Sequence, residues 1–576
     1  MIEEKIWFDD IKGELSITLN QNQFNIIEQI LAESIWHKKY NPNKLEVEDR
    51  SPVIMFLSVA RKEVIANVLY CANTGMQNCL EDLLARFCDE FSDDNTQDLI
   101  IKLDIVTQVV SIDRYSEDTK IFLDWGLEGI AFDQEYNLAI LPEQIAYNYL
   151  INNKGELLID RIYHHLGNNP FEATKFSRVS RSKNSKIYLF RTEGYQLKNG
   201  KLRELYRGQE LYNEFDKNEI RHSINLAANY LIKAVLPSGR FDYEFAVDDN
   251  KSLRDYNVLR HAGTIFSMIE YYLAFSDETI LPAIEKAMQF MTRFFIPGIE
   301  DSHTLCLLEN GSIALGGNGL AALAIAQYIK ISKDKNFVDY LKKICNWILS
   351  QMNDDGSFKG HVQYYPGGRY KNMVSEYYPG EVIYGLMEAY KILADENLTD
   401  AAFKIAKWLI NVRDISVPTD KLPHDHWLLY GLNELYRQRN DPQFIEHSIK
   451  ICSAIIRSQN LDVKYPDYKG SYYRGDPRST PAATRSEGLL AAYRLIGEFG
   501  NDKKFADIIL ECAKKTICFQ LRTQYTDINT MYLAYPQKAL GGFRSSINTH
   551  RIRIDYVQHN ISSLISMYKI LYSKKS

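Results

Sequence analysis

Acidic and histidine side chains recur near the start of helical segments in the second half of the chain. Carboxylates and imidazoles are the groups that donate and accept protons near neutral pH. Two carboxylates would suit glycoside hydrolysis, whereas two histidines, or a tyrosine with a histidine, would suit removal and return of a proton at a carbon atom. The predicted catalytic residues are Glu381, Asp425, His426, Glu487, Asp555 and His559.

Basic and aromatic side chains lie near the same helix starts and predict a binding surface. Arginine holds anions, and aromatic rings stack on flat faces. The last long loop, 522–554, adds basic residues against the single acid Asp527, namely Arg522, Lys538, Arg544, Arg551 and Arg553. We therefore expect an anionic substrate. The predicted binding residues are Arg260, His261, Tyr377, Tyr378, Trp427, Arg485, Arg553 and Tyr556.

Twelve segments after residue 212 repeat the 3.6-residue hydrophobic period of a helix. The odd segments carry charge on one face, which predicts an outer ring, at 217–235, 278–295, 336–352, 399–412, 442–459 and 503–521. The even segments are apolar almost all round, which predicts a buried inner ring, at 256–275, 317–332, 380–394, 425–439, 483–498 and 555–572. This pattern predicts an all-α (α/α)6 toroid of six helical hairpins over residues 212–576.

The connections between these segments alternate in length. An even segment passes to the next odd one through a few residues, such as Asn440-Asp441. Short links of this kind join antiparallel neighbours. Each odd segment passes to the next even one through a long loop, and loops of that length are typically functional. The long loops and the starts of the inner helices should therefore share one mouth of the ring.

The first part of the chain mixes strand and helix patterns, which predicts a separate α+β domain over residues 1–205. Runs rich in Val, Ile, Leu and Phe predict strands at Ser51 to Ala60, Val64 to Tyr70, Leu99 to Val110 and Lys186 to Arg191. Periodicity predicts helices at Asn78 to Phe91 and Ile145 to Leu166.

Net charge, cysteine content and the absence of known cofactor motifs limit which partners and which cellular location we expect. The net charge of −6 gives no general attraction to nucleic acid, and we expect neither a signal peptide nor a membrane span. Eight scattered cysteines predict reduced thiols and a cytoplasmic location. We expect no cofactor, because no phosphate-binding or dinucleotide-binding motif occurs. We also expect no metal, because His424 and His426 would diverge at a helix start.

Short motifs in the second half resemble enzymes that act on carbohydrates. The segments as a set resemble the (α/α)6 carbohydrate-active enzymes. Tyr377-Tyr378-Pro379-Gly380-Glu381 resembles the sugar 2-epimerases, whose members place a histidine near this helix start; here Glu381 stands there. Residues 553–560, Arg-Ile-Asp-Tyr-Val-Gln-His-Asn, resemble the closing motif of glucuronyl epimerases. These resemblances imply sugar chemistry.

The first domain resembles the AMMECR-type domain. The resemblance lies in Gly126-Leu127-Glu128-Gly129-Ile130, in Leu141-Pro142-Glu143 and in the helical segment through Ile162. The Arg-Gly-Cys-Ile-Gly segment of that family is replaced by Val64-Ile65-Ala66-Asn67-Val68. The resemblance therefore implies a diverged scaffold or a partner-binding domain.

Two hypotheses of different classes follow from the sequence. The first is an intracellular carbohydrate-active enzyme that carries out acid–base chemistry, either epimerisation or glycosidic cleavage, on an acidic sugar or oligosaccharide. The second is a non-catalytic binding or assembly protein that uses the toroid as a docking cup. An enzyme needs an open mouth with titratable groups facing inward, whereas a docking protein could have a filled one.

Overall fold

The structure, a computed structural model, describes residues 7–11, 13–14, 21–38, 51–114, 119–133, 135–166, 169–181, 185–332 and 334–573. Contacts divide the chain into two compact units, each built from several stretches of chain. The N-terminal unit comprises Met1–Leu211, Val247–Asn250 and Tyr525–Leu540. The ring unit comprises Tyr212–Ala246, Lys251–Gln524 and Gly541–Ser576.

The N-terminal unit is built on a nine-stranded antiparallel sheet. Its main path runs in the order Asn67–Thr74, Pro52–Arg61, Leu99–Arg114, Lys186–Lys198, Glu128–Phe132 and Ala139–Ile140. Gly13–Glu14 pairs with the third of these strands, Lys201–Tyr206 with the fourth, and Gln209–Glu210 with Lys201–Tyr206. The helices are Gln21–His37, Met76–Glu90, Pro142–Asn148, Ile159–Leu166 and Pro170–Arg181.

The predicted strands and helices of this unit occur with shifted bounds. The strand expected at 64–70 begins at Asn67, after a turn. The single helix expected at 145–166 is wrong, because the chain forms two helices there. Tyr149 ends the first helix in the left-handed conformation at φ 50°, and Gly155 takes φ 77° in the turn between them. Neither conformation continues an α-helix.

Both faces of the sheet are buried, because successive side chains of a strand point to opposite sides. Along Pro52–Arg61, Val53, Met55 and Leu57 pack against the helices Gln21–His37 and Met76–Glu90. Ile54 and Phe56 face the other way, toward Trp7, Phe8 and Phe190. A strand buried on both sides is uniformly apolar rather than alternating, as this one is.

The segment 525–540 belongs to the N-terminal unit, which corrects the predicted extent of the toroid. Its side chains Ile528, Met531 and Tyr532 are part of the sheet's second core. The Tyr532 hydroxyl donates to the Ser58 hydroxyl at 2.8 Å, and its ring lies 5.6 Å from the Lys102 ammonium. In sequence this segment lies between two helices of the ring, but its apolar side chains are buried in the N-terminal core.

All twelve predicted helical segments of the second half form helices. The inner ones are Val258–Phe275, Leu315–Ser332, Tyr378–Leu393, His426–Tyr436, Ser479–Phe499 and Ile554–Tyr572. The outer ones are Lys217–Ala234, Leu281–Met291, Asn336–Ser350, Glu396–Trp408, Pro442–Arg457 and Lys503–Thr523. Each inner helix contacts the next, and the sixth contacts the first, so the inner ring is closed. Each outer helix contacts at least one inner helix.

The two sets of helices differ in burial in the way the sequence indicates. In the second inner helix every residue from Leu315 to Gln327 is buried, whereas the outer helix Asn336–Ser350 buries one face. Small residues bring the inner helices close together. A Cβ atom on Gly385 would lie 2.3 Å from the Gly319 carbonyl oxygen, so only glycine fits at this contact.

The long loops contain two small antiparallel sheets, so the second half is rich in helix rather than all-α. One sheet joins Lys251–Ser252, Glu244–Ala246 and Arg551–Arg553; the other joins Phe295–Pro297, Leu305–Glu309, Ser312–Ala314 and Val362–Tyr364. Loops of this length must satisfy their backbone groups, and strand pairing does so. Among the described residues, no helix combines the length and apolar character that crossing a bilayer requires.

We predict that Tyr532 anchors segment 525–540 in the N-terminal core. Tyr532→Ala should lower the free energy of unfolding by about 3–5 kcal/mol, the usual cost of removing a buried aromatic ring. Urea denaturation followed by tyrosine and tryptophan fluorescence measures this quantity. The matched control is Tyr535→Ala, because Tyr535 is 44% exposed in the same segment and its loss should cost less than about 0.5 kcal/mol. Equal losses in both variants would contradict the assignment.

Candidate active site

A cavity of about 270 Å³ opens where the inner helices begin. Seven of its lining residues were not predicted as site residues, namely Leu259, Leu320, Tyr473, Thr480, Pro481, Thr484 and Gln558. The other eight were, namely Arg260, Tyr377, Glu381, His426, Trp427, Arg485, Asp555 and His559. Residues far apart in sequence meet here because the closed ring places all its inner-helix starts at one end.

Two histidines lie side by side in this cavity. His426 is the first residue of the fourth inner helix, and His559 lies in the second turn of the sixth. Their ring centroids are 5.2 Å apart with planes at 79°. His426 is only 4% exposed, and neither of its ring nitrogens has a hydrogen-bond partner. Burial lowers the pKa of His426 well below its usual value, and the neighbouring His559 and Arg485 lower it further, so the ring is neutral.

A carboxylate behind the second histidine fixes its orientation. Glu487 is fully buried in the fifth inner helix, and its Oε2 atom lies 2.8 Å from His559 Nδ1. The Tyr430 hydroxyl donates to the other oxygen of Glu487 at 3.4 Å. Burial raises the pKa of Glu487, while His559 and Tyr430 act in the opposite direction. If Nδ1 donates to this carboxylate, Nε2 of His559 holds the lone pair and can act as a base.

Two further carboxyl groups are buried at the starts of the third and fourth inner helices. Glu381 lines the cavity and is 4% exposed, and its Oε2 atom has no partner. Burial, and then the charge of Asp425, raise the pKa of Glu381 to about 8. Asp425 does not line the cavity. Its Oδ1 atom accepts the Leu428 amide hydrogen at 3.0 Å, so it caps the fourth inner helix, and burial raises its pKa to about 7 against the opposing effect of Arg413.

Arg485 brings a buried positive charge to the cavity wall. The side chain is 8% exposed, and its guanidinium lies 4.9 Å from the ring centroids of both Tyr472 and Tyr473. It donates to His424 Nδ1 at 2.9 Å and to the Tyr473 hydroxyl at 2.9 Å. Among the described residues no carboxylate forms an ion pair with Arg485. A buried cation of this kind is costly unless an anion approaches it.

Asp555 also lines the cavity and is held by two arginines. Arg553 binds its carboxylate through two nitrogens, at 2.5 and 3.0 Å, and Arg260 Nε lies 3.2 Å away. Arg260 also donates to the Tyr243 hydroxyl at 2.6 Å. This network bonds both carboxylate oxygens of Asp555 to arginine side chains.

Several predicted site residues lie outside the cavity. His261 does not line the cavity: its ring nitrogens bond to the Tyr256 hydroxyl and to the Ala287 carbonyl, and burial lowers its pKa to about 4. Tyr378 stacks on His361 with centroids 6.1 Å apart. Tyr556 is buried with Arg553 4.5 Å above its ring. All three pack around the mouth rather than line it.

The predicted cationic character of loop 522–554 is also corrected. Arg522 and Arg544 are buried and donate to backbone carbonyls, and Lys538 lies in the N-terminal unit. Arg551 is exposed and lies 3.9 Å from Glu244. Of this group, Arg553 bonds to a residue of the cavity wall, Asp555. The number of basic residues in the loop therefore does not indicate the charge of the cavity.

The residues that sequence reasoning missed come from two sources. The first source is the first two turns of inner helices, where closeness to the helix start is a signal that could have identified Leu259, Leu320, Thr480, Pro481, Thr484 and Gln558. Tyr473 lies in the long loop 458–478 with φ 70°, and no periodicity marks such a position. Its place in the cavity depends on the path of the loop.

One group of side chains at the mouth has the composition of a metal site. Ligand atoms of His426, Glu487 and His559 lie within 4.8 Å of one another. Imidazole and carboxylate together suit several divalent metals. However, Glu487 and His559 already bond to each other at 2.8 Å, which leaves His426 as the group with both nitrogens available. The sequence predicts no metal here, so metal content needs direct measurement.

Comparison with known proteins gives a likeness of fold in the helical ring. No family model and no curated protein matches the chain. Cellobiose 2-epimerase from Bacillus thermoamylovorans B4167 is 12% identical with TM-score 0.49, and the match covers 62% of this chain and 99% of that one. A sugar epimerase from a ruminal bacterium is 16% identical with TM-score 0.49 over 62% and 99%. The α-1,6-mannanase GH76A of Salegentibacter sp. HEL1_6 is 13% identical with TM-score 0.44 over 61% and 99%.

We predict that Asp425 makes the fold less stable as pH rises. Its folded pKa, about 7, lies above the ordinary value of 3.8, so the folded state holds the proton over a window in which the unfolded chain has lost it. Stability is therefore greatest below the ordinary pKa and falls as pH rises toward about 7. Asp425→Asn keeps an oxygen for the helix cap and removes the charge.

The melting temperature of Asp425→Asn relative to the parent protein should therefore rise between about pH 4 and pH 7 and change little above that range. Asp425→Ala is the matched variant, because it loses the cap as well and should cost about 0.5–2 kcal/mol. A melting temperature of Asp425→Asn that follows the parent across this pH range would show that the buried carboxyl does not titrate as stated.

Proposed function

We propose that this protein is a carbohydrate-active enzyme that removes a proton from a carbon next to the carbonyl group of an acidic sugar and returns it, as an epimerase or an aldose–ketose isomerase does. The observation that carries the proposal is the His426–His559 pair, with rings 5.2 Å apart in a cavity and with Glu487 behind one of them. The proposed catalytic residues remain Glu381, His426, Glu487 and His559, with Asp425 and Asp555 in supporting roles.

The mechanism assigns the base to the histidine that has an orienting carboxylate. With Nδ1 of His559 donating to Glu487, Nε2 takes the proton from the substrate carbon, and the ionised Glu487 stabilises the imidazolium that forms. His426 lies beside it, neutral and without a protein partner, and can contact the same carbon or its neighbour. Return of the proton to the other face of the carbon gives an epimer, and return to the adjacent carbon gives an isomer.

The proposed substrate is anionic because of the charges on the cavity wall. Arg485 has no carboxylate partner among the described residues, whereas Arg260 is balanced by Asp555. A uronate carboxylate or a sugar phosphate would complete the pairing of Arg485. Trp427, Tyr377 and Tyr473 offer the aromatic faces on which sugar rings pack.

Hydrolysis and passive docking are the alternatives. Hydrolysis needs one carboxyl group to protonate the leaving group and another to remain ionised. Two carboxyl groups line the cavity, but both oxygens of one of them, Asp555, are already bonded to Arg553 or Arg260, which makes that carboxylate less available to a water molecule or a sugar carbon. Docking without chemistry would not require a buried histidine without partners, which is costly to retain. Both points favour proton transfer.

The N-terminal unit is proposed as an AMMECR-like scaffold or partner-binding domain of a cytoplasmic protein. Free thiols at all eight cysteines support a reducing compartment. Removing residues 1–205 would leave Ile528, Met531 and Tyr532 without their core, so such a truncation is not a clean test. Affinity capture by the full chain, compared with a chain carrying charge-reversed surface residues of this unit, tests the partner-binding role.

We predict that loss of either histidine greatly slows proton exchange at the substrate carbon. Purified protein is incubated in D2O with a panel of uronates, aldose phosphates and neutral aldoses, and deuterium at carbon is read by NMR. His559→Gln and His426→Gln should each lower the exchange rate by about 10²- to 10⁴-fold. His303→Gln is the control, because His303 is exposed in the loop 292–314. New reducing ends without exchange would favour hydrolysis, and no reaction with any sugar would favour docking.

Metal analysis distinguishes the histidine pair from a metal centre. Elemental analysis of the purified protein, and exchange assays after treatment with a chelator, are run beside the variants. Stoichiometric metal that is lost together with activity and restored by one divalent ion would replace the general-base role of His559 with a ligand role. Activity that survives chelation supports the proton-transfer proposal.

We predict that Arg485 selects acidic substrates. Arg485→Gln should raise KM for the acidic substrate by about 10- to 200-fold, because a charge-assisted hydrogen bond is lost, and should leave a neutral analogue almost unaffected. The measurement is kcat and KM for both sugars. An equal loss for the acidic and the neutral sugar would show that Arg485 supports the structure of the mouth rather than the substrate anion.

A further inference from the structure

We infer that Glu381 acts as a neutral carboxylic acid that donates a hydrogen bond to the carbonyl oxygen of the substrate. This inference rests on the proposed function and assigns the electrophile that the two histidines do not supply. Removal of a proton next to a carbonyl moves negative charge onto the oxygen, and the reaction is fast only where a donor meets that charge. The geometry around Glu381 fits this role.

The side chain is buried at the cavity wall without a cation. It is 4% exposed, and no Lys, Arg or His forms an ion pair with it within the part of the chain that the structure describes. Its Oε2 atom has no partner. A buried ionised carboxylate in such a place would be expensive, whereas the protonated form has a hydrogen to donate and costs far less.

The backbone of the second inner helix makes room for this carboxyl group. A Cβ atom on Gly316 would lie 1.9 Å from Glu381 Oε2, so the carboxyl occupies the space that any other side chain would need. Gly319 also faces the Glu381 backbone, where a Cβ would approach to 2.9 Å. Neither glycine offers a charge or a side-chain hydrogen bond, and the surroundings therefore favour the neutral acid.

The electrostatic surroundings of Glu381, taken together, also favour its protonated form. The start of the third inner helix favours an anion, but by only about 0.3–1 kcal/mol, which is less than the several kcal/mol that burying a charge costs. The pKa of Glu381 is raised to about 8 by burial and by Asp425. The titratable and charged groups around it are Tyr378 on its own helix, Asp425 and His426 at the next helix start, and, lining the same cavity, Arg260, Tyr377, Arg485, Asp555 and His559.

The proposed step balances in protons and electrons. The base takes the proton from carbon, the C–H electron pair becomes the C=C bond of an enediol, and the carbonyl π pair moves to oxygen. That oxygen receives the hydrogen bond, or the proton, of Glu381. When the carbon is protonated again, the carbonyl re-forms and the proton returns to Glu381, so no other reactant is consumed.

The test compares three variants with the parent in the deuterium-exchange assay. Glu381→Met removes the donor and should lower the exchange rate by about 10²- to 10³-fold. Glu381→Gln keeps an N–H donor and should stay within about tenfold of the parent. Glu388→Gln is the matched control, because Glu388 is a buried glutamate of the same helix that pairs with Lys330 and Lys391.

The pH profile gives the readout that a purely structural role would not move. The parent rate should fall as pH rises through about 8, because the donor is lost when Glu381 ionises. Glu381→Gln should lose this alkaline limb, and Glu388→Gln should keep it. The infrared difference spectrum of the parent minus Glu381→Gln, without ligand, should show a protonated carboxyl band near pH 7; a difference is needed because the buried Asp425, with its pKa raised to about 7, contributes to both proteins. The difference spectrum of Glu388→Gln minus Glu381→Gln should show the same band.

The outcomes separate this inference from the proposed function. If no sugar of the panel exchanges, the proposed function fails and the donor role fails with it. If exchange depends on His559 and His426 but Glu381→Met stays within about threefold of the parent, far short of the loss of an oxyanion donor, only the donor role is overturned. Absence of the band from the difference spectrum of the parent minus Glu381→Gln near pH 7 would likewise overturn it alone.

Discussion

The closure of the inner helical ring is the constraint on which the rest of the second half depends. Each inner helix is buried on nearly all sides, so its polar residues are confined to its ends, where loops and water reach them. Short links at one end of the hairpins leave the long loops at the other. The first turns of six helices therefore supply the polar residues of one cavity, and residues as distant as Arg260 and His559 face the same space.

Within that cavity, desolvation decides the protonation state of each group. Burial disfavours the charged forms of Glu381 and His426, and neither has an ion-pair partner among the described residues. Asp555 is ion-paired with two arginines, and Glu487 is paired with His559. One helical scaffold thus holds a neutral acid, a neutral imidazole, a carboxylate–imidazole pair and an arginine without a carboxylate within a single small volume. Groups whose environments push their pKa values apart are typical of acid–base catalysis.

The segment 525–540 packs against residues that are far from it in sequence. It lies in the last long loop between an outer and an inner helix, yet Ile528, Met531 and Tyr532 are core residues of the N-terminal sheet. The buried Lys102 beneath Tyr532 is held by Asp104 at 2.7 Å and Glu143 at 3.0 Å. A buried ion network of this kind contributes little net stability, but breaking it leaves a charge without a partner. These contacts therefore hold the segment in the N-terminal core.

The sequence by itself determined the twelve helices, their division into inner and outer sets and the common face of their first turns, because hydrophobic period and link length are local properties. It also identified Glu381, His426, Glu487 and His559 as candidate catalytic residues, since charged groups at the ends of apolar helices stand out.

Only the tertiary structure decided which of those groups meet. His261 points to an outer helix rather than the cavity, Asp425 caps a helix, and Tyr473 reaches the wall from a loop without periodicity. The small sheets of the long loops and the burial of segment 525–540 were equally beyond the sequence. Side-chain direction and loop path depend on contacts between distant residues, and no local pattern records them.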